Sequence, residues 1–271
     1  MVIGIWCLVI VEAMSLLNQI IDAKRTEIAQ AQATVPLYEL KRRLGHHRRE
    51  RDLTAALRQP GQLALIAELK RQSPSRGVIR ERFDPITIAQ TYQSSGASAL
   101  SILTDARYFG GHLSFLRDVK SFSELPILRK DFIIDEYQVY ESAWAAADAI
   151  LLIARIVEPD ELRRLAGVAQ QLQLDVLAEV HNEAELDAVL AAGCRLIGIN
   201  HRDLDTFTMD LTLSQRLIPR IPKECTIVAE SGLHTREDVQ RMCDLGVHAV
   251  LIGEAFMEAP DIAAKMRELM G

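Results

Sequence analysis

From Leu63 onward the chain alternates short apolar runs with longer amphipathic segments. Eight runs stand out: "LALIAEL", "ASALSIL", "LPILRKD", "DAILLIA", "LDVLAEV", "RLIGIN", "CTIVAES" and "HAVLIGE". They are rich in Ile, Leu, Val and Ala without strict polar alternation, which is how strands covered on both faces read. The stretches between them, such as "DPITIAQTYQSSG", "PDELRRLAGVAQQL", "NEAELDAVLAAG" and "TREDVQRMCDLG", carry helical patterns. Several open with Asp, Asn or Thr and close near Gly, as helix ends do. Eight strand–helix units predict an α/β fold, a (β/α)8 TIM barrel. The competing architecture is a doubly wound open sheet. That fold usually shows fewer strands and a Gly-rich first turn, and no G-x-G-x-x-G occurs here.

The first sixty residues follow a different pattern. Ser15 as N-cap, then Leu17, Ile20, Ile21, Lys24 and Ile28 at helical spacing, predict a helix over 15–32. A second helix is predicted over "PLYELKRRL", with Pro36 near its start, where a missing N–H costs little. Pro60-Gly61 then breaks the pattern. The expected organisation is a helical extension over 14–60 and a barrel over 61–271. The run "VIGIWCLVIV" near the start is too short for a membrane span, which needs about 20 residues. No positive segment precedes it, as a signal peptide would require. Met14 is the expected initiator, and residues 1–13 are expected to be a mis-assigned or disordered extension.

Composition narrows the partners. A formal net charge of −6 argues against nucleic acid as the main partner. The basic run "KRRLGHHRRER" lacks interleaved aromatic residues and reads as a solvated helix face and loop. The four cysteines, Cys7, Cys194, Cys225 and Cys243, form neither a C-x-x-C pair nor a zinc spacing. Cys194 and Cys225 flank apolar runs and read as buried thiols. A cytoplasmic location is expected, with no membrane partner and a monomer or weak homo-oligomer.

Candidate chemistry gathers where the strands end. In a (β/α)8 barrel the active site lies at the C-terminal strand ends. The first strand ends in Glu68 and Lys70, the third in Lys130 and Asp131, and the fifth in Glu179. The sixth ends in Asn200, followed by Arg202. The seventh ends in Glu230, Ser231 and Gly232, and the eighth in Gly253 and Glu254. Strand residues two apart share a face, so Glu68 and Lys70 both face the mouth. Alone, that pair reads equally well as a structural salt bridge. With lysine, glutamate and asparagine on three other strand ends it reads as acid–base machinery. Burial there is expected to lower a lysine pKa and raise a glutamate pKa, and the two lysines are expected to depress each other. The loops "AESGLHTREDV" and "LIGEAFM", after strands seven and eight, read as a phosphate cradle, with ordinary turn glycines as the alternative.

The residues carry a resemblance. "IAELKRQSPSRG", "LPILRKDFIID", "LAEVHNEAEL", "IGINHRDL", "VAESGL" and "LIGEAFM" occur in order, each at a predicted strand end. On these motifs the chain resembles the indole-3-glycerol phosphate synthase family over essentially residues 14–271. The resemblance implies ring closure, decarboxylation and dehydration of 1-(2-carboxyphenylamino)-1-deoxyribulose 5-phosphate, with no metal or organic cofactor. It implies Lys130 as general acid and Glu179 as general base. Lys70 holds a substrate anion and shares the acid role, Glu68 orients the lysines, and Asn200 bonds the reacting intermediate. Arg202 assists anion binding, and the helices of residues 15–60 correspond to the family's N-terminal extension, which covers the barrel mouth. Ser73, Ser231, Gly232, Gly253 and Glu254 form the phosphate cradle, and Phe132 and Leu251 contact the substrate. His201 is expected to tune the site or face solvent. With no residues left for a fused second barrel, a monofunctional enzyme is expected. The rival expectations are another phosphate-binding barrel enzyme and a barrel that binds a phosphorylated ligand without turning it over.

Overall fold

The computed structural model describes residues 15–45 and 50–271. The expectations for residues 1–13 and Met14, and the part of the basic run at 46–49, lie outside the described residues. Eight parallel strands close into a barrel: β1 (Ala64–Leu69), β2 (Ala99–Leu103), β3 (Ile127–Lys130), β4 (Ala149–Ile153), β5 (Asp175–Val180), β6 (Leu196–Asn200), β7 (Thr226–Glu230) and β8 (Ala249–Ile252). Each pairs with its sequence neighbours, and β8 closes on β1 through Ala64↔Ala249 and Ile66↔Leu251. Each strand falls inside a run read from the sequence. The "RQSPSRG" segment after β1 is a small antiparallel hairpin, Gln72–Ser73 against Gly77–Val78.

Alternation along each strand divides the apolar residues into two cores. Ile66, Leu128, Leu177, Leu196, Val228 and Leu251 point inward and fill the barrel. Leu65, Leu100, Ile127, Ile150, Ile197 and Val250 point outward and meet the surrounding helices. The register aligns inward residues with inward residues, so the chemistry-bearing side chains form one upper row. Glu68 faces Ser101, Leu103 faces Lys130, Ile153 faces Glu179, and Asn200 faces Glu230.

Helical segments close both ends. At the bottom lies α3 (Leu53–Leu57), reached after α1 (Leu16–Thr34) and α2 (Leu37–Leu44). Its Leu53 and Leu57 join the barrel interior. Arg51 donates to the carbonyl oxygens of Leu125 and Lys120, and Arg58 to those of Lys223 and Glu224. At the top, Leu17, Ile20 and Ile21 of α1 join the same interior core. The buried face of α1 is Leu17, Ile20, Ile21, Lys24 and Ile28, the set its spacing predicts. Ser15 caps it, accepting from the Asn18 N–H.

Lys24 sits in that apolar stripe for an electrostatic reason. It is only 4% exposed, and its Nζ lies 3.0 Å from both Asp105 and Asp131 and 2.7 Å from Glu27. Burial works against its charge, but these carboxylates outweigh burial and raise its pKa. Asp131 is also reached by Arg129, by the Thr104 hydroxyl and by the Phe132 N–H. Burial opposes its ionisation too, yet Arg129 and Lys24 hold it down to about 2. Its carboxylate therefore stabilises the fold above an ordinary aspartate pKa of 3.8, and that contribution is lost as pH falls through about 2. Replacing Lys24 removes the ammonium that pairs with buried Asp105 and one of the two cations that hold buried Asp131. Lys24→Ala is expected to lose about 3–5 kcal/mol of stability in urea unfolding at neutral pH. A loss below about 1 kcal/mol, the scale of a surface pair, would overturn this account.

Candidate active site

Three strand ends meet at one ammonium. Lys130, the last residue of β3, places Nζ 2.7 Å from Glu179 Oε2 and 2.8 Å from Glu230 Oε2. Both glutamates are buried. A fourth strand end adds a second pair, with Lys70 Nζ 3.1 Å from Glu68 Oε1. Two glycines make room for this cluster. A Cβ on Gly198 would lie 2.1 Å from Glu230 Oε1, and one on Gly253 would lie 2.7 Å from Glu68 Oε1. Any larger residue at either place would displace a carboxylate.

The electrostatics correct the sequence-based expectation. Lys130 does not lose basicity through burial or through a neighbouring lysine. Burial does oppose its charge, but Glu179, Glu230 and Glu68 outweigh burial and raise its pKa. Glu179 moves opposite to expectation as well. Burial raises it, yet Lys130 and His181 bring it below the ordinary carboxylate range. The glutamate that rises is Glu230, pushed up to about 7 by burial and by the charges of Glu179 and Glu68, against the pull of Lys130. Its Oε1 is buried without a hydrogen-bond partner, which also favours the neutral form. The sequence reading placed Glu230 at a strand end but gave it no role.

The cavity beside this cluster is lined by Glu68, Lys70, Ser73, Lys130, Phe132, Glu179, Asn200, Arg202, Ser231, Leu251 and Glu254. The two remaining expected site residues, Gly232 and Gly253, do not line it. Gly253 clears space for Glu68, and Gly232 forms a left-handed turn with Ser231, at φ 74° and 67°. The cavity's apolar wall also includes residues outside the expected site set: Leu16, Leu17 and Ile20 of α1, with Phe109, Leu151, Ile153, Leu204 and Phe207. The Phe109 and Phe132 ring centroids are 6.0 Å apart. Arg202 Nη2 lies 3.1 Å from Glu254 Oε2, so that carboxylate is turned toward an arginine. Arg76 adds a further guanidinium 3.6 Å from Glu254. Asn200 Oδ1 accepts from the Arg202 N–H at 3.0 Å.

His201 does not face solvent. It is buried, with Nε2 2.7 Å from the Ser214 hydroxyl and Nδ1 3.1 Å from the Ser231 carbonyl oxygen. Burial lowers its pKa, so it is a neutral strut between the short helix Leu213–Leu217 and the loop after β7. Cys194 and Cys225 are buried thiols, as expected, and Cys243 is exposed. Among the described residues, no group of three His, Cys, Asp or Glu side chains is placed to hold a metal ion, and no helix is long and apolar enough to cross a membrane.

An ammonium held between two carboxylates thus stands beside guanidinium groups and an apolar wall at the mouth of a closed parallel barrel. Solved barrels share the fold. A 3-hexulose-6-phosphate synthase superposes with TM-score 0.62 at 15% identity, over 77% of this chain and 98% of that one. The Salmonella typhimurium 3-hexulose-6-phosphate synthase superposes with TM-score 0.63 at 11% identity, over 77% and 97%. At such identities the likeness shows the fold alone. The chain belongs to the indole-3-glycerol phosphate synthase family, whose model matches residues 17–269. It is 46% identical to the indole-3-glycerol phosphate synthase of Caldanaerobacter subterraneus over 90% of this chain and 93% of the relative. It is 45% identical to that of Albidiferax ferrireducens over 94% and 97%, and 51% identical to that of Dehalococcoides mccartyi over 77% and 82%.

The unequal glutamates give a pH signature. The fold raises the pKa of Glu230 above the ordinary 4.5, so the folded protein holds this proton more tightly than the unfolded chain. That contribution to stability is fully present below 4.5 and is lost as pH rises through about 7. In carboxyl-carbon NMR with labelled glutamate, Glu230 is expected to titrate near neutral pH while Glu179 stays ionised. Titration of Glu179 before Glu230 on acidification would reverse the assignment.

Proposed function

We propose that the cluster converts 1-(2-carboxyphenylamino)-1-deoxyribulose 5-phosphate to indole-3-glycerol phosphate, with Lys130 as general acid and Glu179 as general base. The observation that carries the reading is the position of Lys130. Its charged Nζ stands 2.7 Å from one buried carboxylate and 2.8 Å from another, at the floor of a cavity with an apolar wall.

The reaction asks for a proton delivered to one atom and removed from another. As the aromatic carbon attacks the substrate ketone, negative charge develops on its oxygen. The Lys130 N–H bond breaks and an O–H bond forms there. A raised lysine pKa is no obstacle, because a developing alkoxide is far more basic than an amine. CO2 is then lost from the same ring carbon, and the new hydroxyl leaves as water with a proton delivered by Lys70, which shares the acid role. The proton lost from carbon in the last step goes to Glu179. Acid and base are coupled through their ion pair: once Lys130 is neutral, Glu179 loses one of its cations and gains basicity. A single lysine thus prepares its partner for the second step.

The rest of the cavity supplies binding. The phenyl ring meets the Phe132 and Phe109 wall, with Leu251 beside it. Lys70, oriented by Glu68, takes a substrate anion and shares the acid role. The phosphate lies toward Ser73, the Ser231–Gly232 turn, and the backbone of Gly253 and Glu254. Arg202 reaches it by leaving the Glu254 carboxylate, and Asn200 bonds the reacting intermediate. Leu16, Leu17 and Ile20 of α1 roof the mouth and keep water out while charge develops.

The test supplies the anilino-ribulose phosphate and follows indole fluorescence. Turnover is expected without added cofactor. Lys130→Ala and Glu179→Gln are each expected to lower kcat by at least about 10²–10⁴-fold, the scale of a lost general acid or base. Full activity in Lys130→Ala would remove the acid assignment, and no turnover by the intact chain would remove the reading itself.

A further inference from the structure

Behind Glu179 lies a histidine that the proton-transfer scheme leaves unused. His181 follows β5 two residues after Glu179 and is buried. Its Nε2 lies 3.4 Å from Glu179 Oε1, the carboxylate oxygen opposite the one that meets Lys130. That distance suits charge attraction better than a well-formed hydrogen bond. On the other side of the ring, Nδ1 lies 3.0 Å from Glu185 Oε2. Glu185 is fixed in turn: it accepts the His181 N–H at 2.7 Å, the Asn182 amide at 2.7 Å and Arg155 Nε at 3.1 Å. Arg155 continues to Asp203, 2.9 Å away on the loop after β6.

A neutral imidazole carries one N–H and one lone pair. Here both ring nitrogens face carboxylate oxygens, so either neutral tautomer would aim a lone pair at an acceptor. Only the imidazolium suits both sides. Glu179 therefore has a cation at each oxygen, Lys130 at one and His181 at the other. The two cations differ in the reaction. Lys130 gives its proton away, and its charge leaves with it.

We propose that His181 is a positioning residue for the base, a fixed imidazolium that keeps Glu179 ionised and aimed while Lys130 is neutral. His181 itself transfers no proton. Without it, a neutral Lys130 would leave the Glu179 carboxylate buried beside Glu230 and Glu68 with no cation directly against it. It would take up a proton before it could act. The charge on His181 is consistent with its surroundings. Burial opposes it, but Glu179 and Glu185 raise its pKa to about 9. The charged groups around it are Glu179 on its own strand end and Glu185 on the following helix. Arg155 stands behind Glu185, and Lys130 and Glu230 stand beyond Glu179.

The inference rests on Glu179 being the base, and the experiment separates the two. Profiles of kcat against pH are measured for the wild type, His181→Asn, Glu185→Gln and Glu179→Gln. His181→Asn is expected to move the acid limb of kcat upward by about one pH unit or more, a tenfold effect at the pH of the wild-type limb. Activity is expected to recover toward the wild-type level at higher pH. Glu185→Gln, which keeps the side-chain shape and removes the carboxylate behind the ring, is expected to shift the limb the same way by less. A purely structural role would lower kcat equally at every pH and leave the limb in place, and that result in both variants would overturn the proposal. If His181→Asn does not fold, the Glu185→Gln profile decides. Retained activity in Glu179→Gln would instead overturn the base assignment beneath it.

Discussion

Two buried carboxylates, Glu179 on β5 and Glu230 on β7, stand at the same barrel mouth on either side of β6 and would repel each other out of it. The Lys130 ammonium, within 2.8 Å of both, makes their burial tolerable. The arrangement constrains everything around it. Gly198 and Gly253 must lack side chains so that Glu230 and Glu68 fit. The strand register must bring β3, β5 and β7 to one height. The resulting field holds Lys130 charged, Glu179 ionised and Glu230 ready to accept a proton. Charge balance, rather than burial alone, sets the working protonation states.

Two further ion networks fix the strand ends from behind. On one side of Lys130, Asp131 turns away from it toward Arg129, Thr104 and Lys24, and ties the end of β3 to α1. Around Glu179, the chain His181–Glu185–Arg155–Asp203 runs from β5 to the loop after β6, which carries Arg202, Leu204 and Phe207 into the cavity. The roof helix and one wall loop are thereby each joined to a strand end that carries a member of the cluster, Lys130 or Glu179. Buried pairs of this kind cost desolvation and return it only when every member is present. Geometry at the mouth is therefore sensitive to changes well outside the cavity.

The same barrel carries other chemistry. The hexulose phosphate synthases share it at 11–15% identity, so the fold by itself says little about the reaction. The lysine–glutamate cluster and its phenylalanine wall are features of this mouth that the fold alone does not dictate.

Much of this was legible in the sequence. Strand periodicity marked all eight strands, and the stripe on α1 named its buried face, including Lys24. Eleven of the thirteen expected site residues, from Glu68 to Glu254, line a single cavity, because in a parallel barrel the strand ends converge whatever the sequence separation. The pairings were not legible. Nothing in the order of residues says that Lys130 meets Glu179 and Glu230 rather than Lys70, or that His201 turns inward while His181 backs Glu179. Nor did burial alone give the direction in which Lys130 and Glu179 shift. Local patterning is written in side-chain spacing along one chain segment. The strength of a charge–charge interaction depends on distances between segments 49 and 100 residues apart, and those exist only once the barrel has closed.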